Sequence, residues 1–154
     1  MSKPYDIQRG TKQGDPLSTL LFNCLIEDVV DEVKKEWLKK GWGLKLGFTE
    51  CTQLTNLRFA DDILLVAGTL RQTKAMLKNI KQAAAKVGLE LHPDKTKILS
   101  NATRGTGRPK DTKVMIDGMS IEIVPYSGSV KYLGRLVGFD RPHDVEINNR
   151  IRNS

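Results

Sequence analysis

Apolar residues recur at helical spacing from Leu17 onward. Leu17, Leu20, Leu21, Cys24, Leu25, Val29, Val33 and Trp37 fall mostly three or four apart, with Glu27, Asp31, Lys34 and Lys35 largely on other sides. Asp15 followed by Pro16 reads as an N-cap with proline at the first helical position, and Gly41 as the stop. One long amphipathic helix is predicted, with Cys24 as a small buried hydrophobe in its stripe. The period then shortens. Residues 44–48 and 54–60 read as short strands, and Asp61-Asp62 as a turn. Ile63-Leu64-Leu65-Val66-Ala67 follows as an unbroken apolar run, the pattern of a central strand covered on both faces.

A second amphipathic helix is predicted from about Thr69, carrying Leu70, Met76, Leu77, Ile80, Ala84 and Val87 and ending at Gly88. Residues 89–91 and 98–100 are strand candidates around the His92-Pro93-Asp94 turn. Residues 101–113 form an aperiodic polar loop containing Arg104, Arg108 and Lys110. Residues 114–116 and 121–124 flank Asp117-Gly118, a strong hairpin signal. Residues 130–137 make a further strand or hairpin with Gly134 inside it, and Val145, Ile147 and Ile151 begin a last helix. Helices segregated from mainly hairpin-linked strands predict an α+β fold: an antiparallel sheet with two helices packed on one face.

Composition narrows the partners. The 154 residues suit one domain, and 25 Lys and Arg against 18 Asp and Glu give a formal charge of +7. That surplus favours a polyanionic partner, nucleic acid or an anionic membrane surface. No apolar run reaches the length of a membrane span, and Met1-Ser2-Lys3-Pro4-Tyr5 lacks the pattern of a signal peptide. Cys24 and Cys51 match no metal-ligand spacing and call for no disulfide.

The chemistry concentrates at Asp61-Asp62. Two adjacent carboxylates at a tight turn between apolar strands repel each other, and a cation resolves that repulsion. Carboxylate oxygens suit Mg²⁺, and two such ions about 4 Å apart would stabilise the attacking and leaving oxygens of an in-line phosphoryl displacement. Taken alone, the dipeptide is more often a plain polar turn; its surroundings reverse that weighting.

Arg9-Gly10-Thr11-Lys12-Gln13-Gly14-Asp15-Pro16-Leu17-Ser18, with Leu20-Leu21-Phe22-Asn23 after it, resembles the motif that opens the long palm helix of reverse transcriptases. Phe59-Ala60-Asp61-Asp62 resembles their metal-binding turn. Gly88-Leu89-Glu90-Leu91-His92-Pro93-Asp94-Lys95-Thr96-Lys97 resembles the motif that follows, and Lys131-Tyr132-Leu133-Gly134 the primer-grip motif after that. All four stand in the family's order. Gln-Gly-Asp-Pro-Leu-Ser together with Phe-Ala-Asp-Asp resembles the non-LTR, LINE-type branch, since group II intron enzymes usually differ after Gln-Gly and often carry Tyr before Ala-Asp-Asp.

The resemblance implies roles. Asp61 would be the principal metal ligand and Asp62 its supporting carboxylate. Gln13 and Gly14 would lie beside the incoming nucleotide and template. Lys95 would approach the triphosphate and donate a proton to leaving pyrophosphate. Tyr132, Leu133 and Gly134 would hold the primer end. Implied partners are an RNA template, a DNA primer, deoxynucleoside triphosphates and Mg²⁺, with no membrane. Each role has a plainer competitor: Gln13 bonding its own loop, Lys95 a solvated lysine, Tyr132 an ordinary strand aromatic. Arg58, just before the turn, reads as a plain surface charge in preference to a phosphate contact. Trp37 and Trp42 read as packing residues.

One departure carries weight. The family's palm has an earlier motif with another metal-binding aspartate, and Asp6, the one acidic residue before Asp15, stands too close to the Gln-Gly segment to belong to it. The expectation is therefore a partial palm over residues 1–140, lacking the first catalytic motif and the fingers, with residues 141–154 starting a thumb helix. Such a piece is expected to be inactive and poorly soluble alone, its two-metal site incomplete and a sheet edge exposed. Two other readings compete: a nucleic-acid-binding remnant without catalysis, and a palm-type RNA polymerase, against which the Gln-Gly-Asp-Pro-Leu-Ser segment argues. An intracellular setting, nuclear or cytoplasmic for a eukaryotic element, follows from the resemblance alone; nothing in the sequence sets the oligomeric state.

Overall fold

The computed structural model describes residues 16–47, 53–101, 112–140 and 142–152. Helix α1 (Pro16–Lys39) and helix α2 (Leu70–Lys86) pack against each other. Both end in the same way. Trp42 N donates to Trp37 O at 2.9 Å and Gly41 N to Leu38 O at 3.0 Å, while Leu89 N donates to Ala84 O at 3.0 Å and Gly88 N to Ala85 O at 3.2 Å. These paired bonds satisfy carbonyls that the helix leaves open, and they need a left-handed residue, supplied by Gly41 (φ 66°) and Gly88 (φ 76°). At the start of α2, Gln72 N donates to Thr69 Oγ1 at 3.2 Å and Gly68 N to Gln72 Oε1 at 2.9 Å, a Thr-x-x-Gln cap. The expected Asp15 cap of α1 lies outside the described residues.

Among the described residues the strands form four small sheets. Strands β1 (Leu44–Lys45) and β2 (Gln53–Leu54) pair antiparallel, as do β3 (Asn56–Phe59) and β4 (Asp62–Leu65). Strand β7 (Met119–Val124) lies between β6 (Lys113–Ile116), its antiparallel partner, and β5 (Lys97–Leu99), which runs parallel to it. Strands β8 (Ser129–Tyr132) and β9 (Arg135–Gly138) form the last hairpin, followed by helix α3 (Pro142–Arg152), which contacts β9. The α+β class stands, with the strands divided among short sheets and one pair parallel.

Two apolar clusters meet at α2. Ile26, Val29, Val30, Val33 and Trp37 of α1 pack with Met76, Ile80, Ala83 and Ala84 of α2, and Ile63 and Leu65 of β4 close on them. Leu77 turns the other way, into Ile98, Ile116, Met119, Ile121 and Ile123 of the three-stranded sheet. Trp37 is fully buried, and its Nε1 donates to Asn79 Oδ1 across the helix pair at 3.2 Å. Trp42 packs at the edge of the same cluster with the Lys40 ammonium 4.9 Å above its ring.

Three expectations need correction. Leu17, Leu20, Leu21 and Cys24 do not share a face with Val29, Val33 and Trp37. At about 100° per residue they lie on the opposite side of α1, and all four are exposed, so Cys24 is not a core residue. The missed core positions are Ile26 and Val30. Strand β4 is not covered on both faces: it stops at Leu65, and Asp62 and Leu64 point outward while Ile63 and Leu65 point in. Residues 89–91 form no strand; Leu89 and Leu91 pack as loop residues against the core.

Candidate active site

Strands β3 and β4 form a hairpin with Phe59 opposite Asp62, leaving Ala60 and Asp61 as a two-residue loop. Two other hairpins have the same length. The β6–β7 loop holds Asp117 and Gly118 at φ 49° and 82°, and the β8–β9 loop holds Leu133 and Gly134 at φ 49° and 78°. Positive φ at both loop residues matches the right-handed twist of the flanking strands. The aspartate loop differs. Only Ala60 has positive φ, 51°, a region that disfavours a residue bearing Cβ by roughly 1–2 kcal/mol. The carboxylates thus sit beside a residue held in a strained conformation, as often occurs at functional turns.

Directly opposed residues of an antiparallel pair share a face. Asn56, Arg58, Ile63 and Leu65 therefore form the inner face, which packs toward the helices, and Leu57, Phe59, Asp62 and Leu64 form the outer one. The outer face leaves Phe59 65% and Leu57 46% exposed. On the inner face the Arg58 guanidinium reaches α1, with Nη2 3.8 Å from Glu27 Oε1 and 3.7 Å from Asp31 Oδ1. Its other nitrogen, Nη1, is buried without a hydrogen-bond partner. Arg58 is thus no plain surface charge: it ties the hairpin to the long helix, two residues before the loop.

Asp61 and Asp62 are both exposed, and neither forms an ion pair with a described residue. Their four oxygens suit a hard cation such as Mg²⁺, which keeps several waters of its own. They make only part of a donor set, because no cluster of three or more His, Cys, Asp or Glu occurs among the described residues. The Tyr132 phenol, at the end of β8, titrates above its ordinary 10.0, first through burial and then through the negative charge of Asp62. Asp62 and Tyr132, 70 positions apart (132 − 62), thus lie near enough for the charge of one to bear on the other; the resemblance implies metal binding for the first and primer grip for the second. Leu133 and Gly134 form the exposed tip of that hairpin.

Lys95 stands in the turn between α2 and β5, its backbone N donating to His92 O at 3.2 Å, with the side chain exposed. Thr96 fixes the same turn, Oγ1 donating to His92 O at 2.9 Å. Gln13 and Gly14 lie outside the described residues, as do Asp6, Arg104, Arg108 and Lys110. Sequence reasoning missed the inward direction of Arg58. The signal was available, because alternation along β3 sets Arg58 across from Ile63 rather than beside Phe59.

Comparison with known proteins identifies the family. Residues 2–137 match the family described as reverse transcriptase (RNA-dependent DNA polymerase). The chain is 33% identical over 146 residues, 91% of its length, to a retrovirus-related Pol polyprotein from type-1 retrotransposable element R2 of Nasonia vitripennis. A Pol polyprotein of the same element type from Popillia japonica is 30% identical over 153 residues, 96% of the chain. A putative transposon-derived protein of Caenorhabditis elegans is 50% identical over 104 residues, covering 64% of the chain and 34% of that protein. The chain spans 13% of the Nasonia relative and 24% of the Popillia one. It belongs to the reverse transcriptase family, by family RNA-directed DNA polymerases, and to the non-LTR retrotransposon branch of that family.

Proposed function

We propose that the chain is the metal-turn portion of a polymerase palm that extends a DNA primer on an RNA template, and that it does so only as part of a larger polymerase. The observation that carries this reading is the exposed Asp61-Asp62 loop, unpaired with any described cation, with Tyr132 within reach of its charge. Asp61 and Asp62 would hold Mg²⁺ with a further carboxylate from outside the described residues. When bound, the metal would stabilise charge on the transferring phosphoryl group and favour the deprotonated primer hydroxyl. The protein's own part is positioning: Arg58 and the strained Ala60 fix the loop, while Tyr132, Leu133 and Gly134 would hold the primer end beside it. Gln13 and Gly14 would border the nucleotide and template, Lys95 would meet the triphosphate, and α3 would begin the thumb.

The need for completion has its own support. The outer face of the aspartate hairpin and the Leu20-Leu21 side of α1 both leave apolar surface exposed.

Primer extension with Mg²⁺, deoxynucleotides and an RNA template tests the proposal. The chain alone should incorporate nothing; joined to the remainder of its polymerase it should extend the primer, and Asp61→Asn should abolish that. Incorporation by the chain alone would refute the need for completion. Extension by the joined enzyme that survives Asp61→Asn would remove Asp61 from the metal site.

A further inference from the structure

Charge is sharply segregated between the two packed helices. Helix α2 carries Arg71, Lys74, Lys78, Lys81 and Lys86 and no acidic residue, whereas α1 carries Glu27, Asp28, Asp31, Glu32 and Glu36 against Lys34, Lys35 and Lys39. At about 100° per residue, Arg71, Lys74, Lys78 and Lys81 fall within one 80° sector of α2, away from the buried Met76, Ile80, Ala83 and Ala84. Lys81 is held by the β6–β7 loop, Nζ 3.3 Å from Asp117 Oδ2. Arg71, Lys74 and Lys78 have no acidic partner among the described residues. Three uncompensated cations on one ridge repel one another, so a polyanion laid along them gains what the fold leaves unused.

We propose that this ridge binds the phosphate backbone of a single strand, the RNA template outside the aspartate site; the proposal rests on the polymerase reading above. Its shape favours one strand over a duplex. From Arg71 to Lys81 it runs about 15 Å at ~1.5 Å per residue, long enough for about three successive phosphates of one extended strand, which stand about twice as far apart as the base-pair rise of a duplex. The row is one side chain wide, where a duplex presents two backbones. No aromatic residue occurs in α2 to stack a base, so the contact reads charge and not sequence.

The test is the salt dependence of binding to single-stranded RNA by the intact chain, followed by fluorescence anisotropy. Each neutralised phosphate contributes a slope of about −0.7 in log K against log salt on single strands, so Arg71→Gln, Lys74→Gln and Lys78→Gln together should flatten the slope by about 2. Neutralising Lys34, Lys35 and Lys39 on α1 removes the same charge from another face and should change the slope by less than half as much. Restoring the charge with Arg71→Lys in place of Arg71→Gln should recover about a third of the lost slope. An unchanged slope in a folded triple variant, an equal loss from the α1 set, or a loss confined to duplex DNA would each overturn the proposal. Failure here would leave the Asp61→Asn result in primer extension intact, so the two readings fall separately.

Discussion

Replacing Arg58 by methionine should stabilise the folded chain, although it removes two ion pairs. Those pairs, at 3.8 and 3.7 Å, lie beyond hydrogen-bond reach, and their carboxylate side chains are 64% and 48% exposed. Solvent-exposed pairs of this kind contribute about 0.2–1 kcal/mol each, so together about 1 kcal/mol. Against that stands Nη1, buried and without a hydrogen-bond partner, a group whose desolvation costs about 1–3 kcal/mol. Methionine keeps an unbranched stem against α1 and removes both terms. Central values leave a net gain of about 1 kcal/mol, or roughly 2–4 °C in Tm for a domain of this size. Calorimetric melts of wild type, Arg58→Met and the double variant Glu27→Gln with Asp31→Asn provide the comparison. The double variant should melt lower than wild type, because it strips the carboxylates and keeps the buried guanidinium. A fall in Tm of more than about 3 °C for Arg58→Met would refute the reasoning, by showing that the guanidinium is better satisfied than the geometry indicates. In the completed polymerase the same substitution should reduce extension, since the hairpin bearing Asp61 and Asp62 loses its arginine tether to α1. Opposite signs for stability and activity would mark Arg58 as a positioning residue.

Four further outcomes follow from the same geometry. Trp37→Ala empties a fully buried site and leaves Asn79 without its donor, so it should destabilise by about 3–5 kcal/mol in a denaturant titration, whereas a loss under about 1 kcal/mol would mean that the helix pair does not depend on that ring. Ala60→Gly relieves the strained φ at the loop but gains entropy in the unfolded chain, a net change of about 0–1 kcal/mol towards stability; a lower Tm would show that Ala60 is not strained. Asp62→Asn should lower the Tyr132 titration midpoint in ultraviolet absorbance, though not fully to 10.0, because burial is the larger cause. Since the folded midpoint is raised, Tyr132 contributes stability below about pH 10 that is lost as pH climbs through the folded midpoint, and this loss should shrink in Asp62→Asn. Leu20→Gln with Leu21→Gln, both exposed on α1, should change stability by less than about 0.5 kcal/mol each while reducing self-association in light scattering; unchanged self-association would place the sticky surface elsewhere.

What the sequence made legible divides along physical lines. Helix stops and the Asp117-Gly118 hairpin were readable because each rests on one residue's backbone preference. The aspartate turn was readable because adjacent carboxylates between apolar strands are a chemical anomaly. Burial was less readable, because periodicity gives a spacing without an origin. Leu17, Leu20 and Leu21 keep helical spacing with one another, yet they lie across the helix from Ile26, Val30 and Trp37. A chain of apolar residues three or four apart can drift from one side of a helix to the other with no local break. The parallel β5–β7 pair was not legible either, since it depends on where α2 returns the chain, a tertiary outcome that no local pattern carries.

The same drift bears on function. A helix with one apolar face at its start and the opposite one further along can be buried only between two bodies. The second face packs on α2, whereas Leu20 and Leu21 on the first are more than half exposed. The aspartate hairpin repeats the arrangement, its inner face packed on the helices and its outer face showing Leu57, Phe59 and Leu64. Asp62 shares that outer face, so whatever covers Phe59 also borders the carboxylate. On the metal-site reading proposed above, one segment would both cover this apolar surface and supply the further ligand. A segment from the rest of a polymerase that packs on Phe59 would stand where a third carboxylate is needed. If so, Phe59→Ser in the joined enzyme should lower both extension and the affinity for Mg²⁺, while the melt of the chain alone changes by less than about 1 kcal/mol, as expected at an exposed position. Loss of extension with Mg²⁺ affinity unchanged would separate the two requirements and place the third ligand elsewhere.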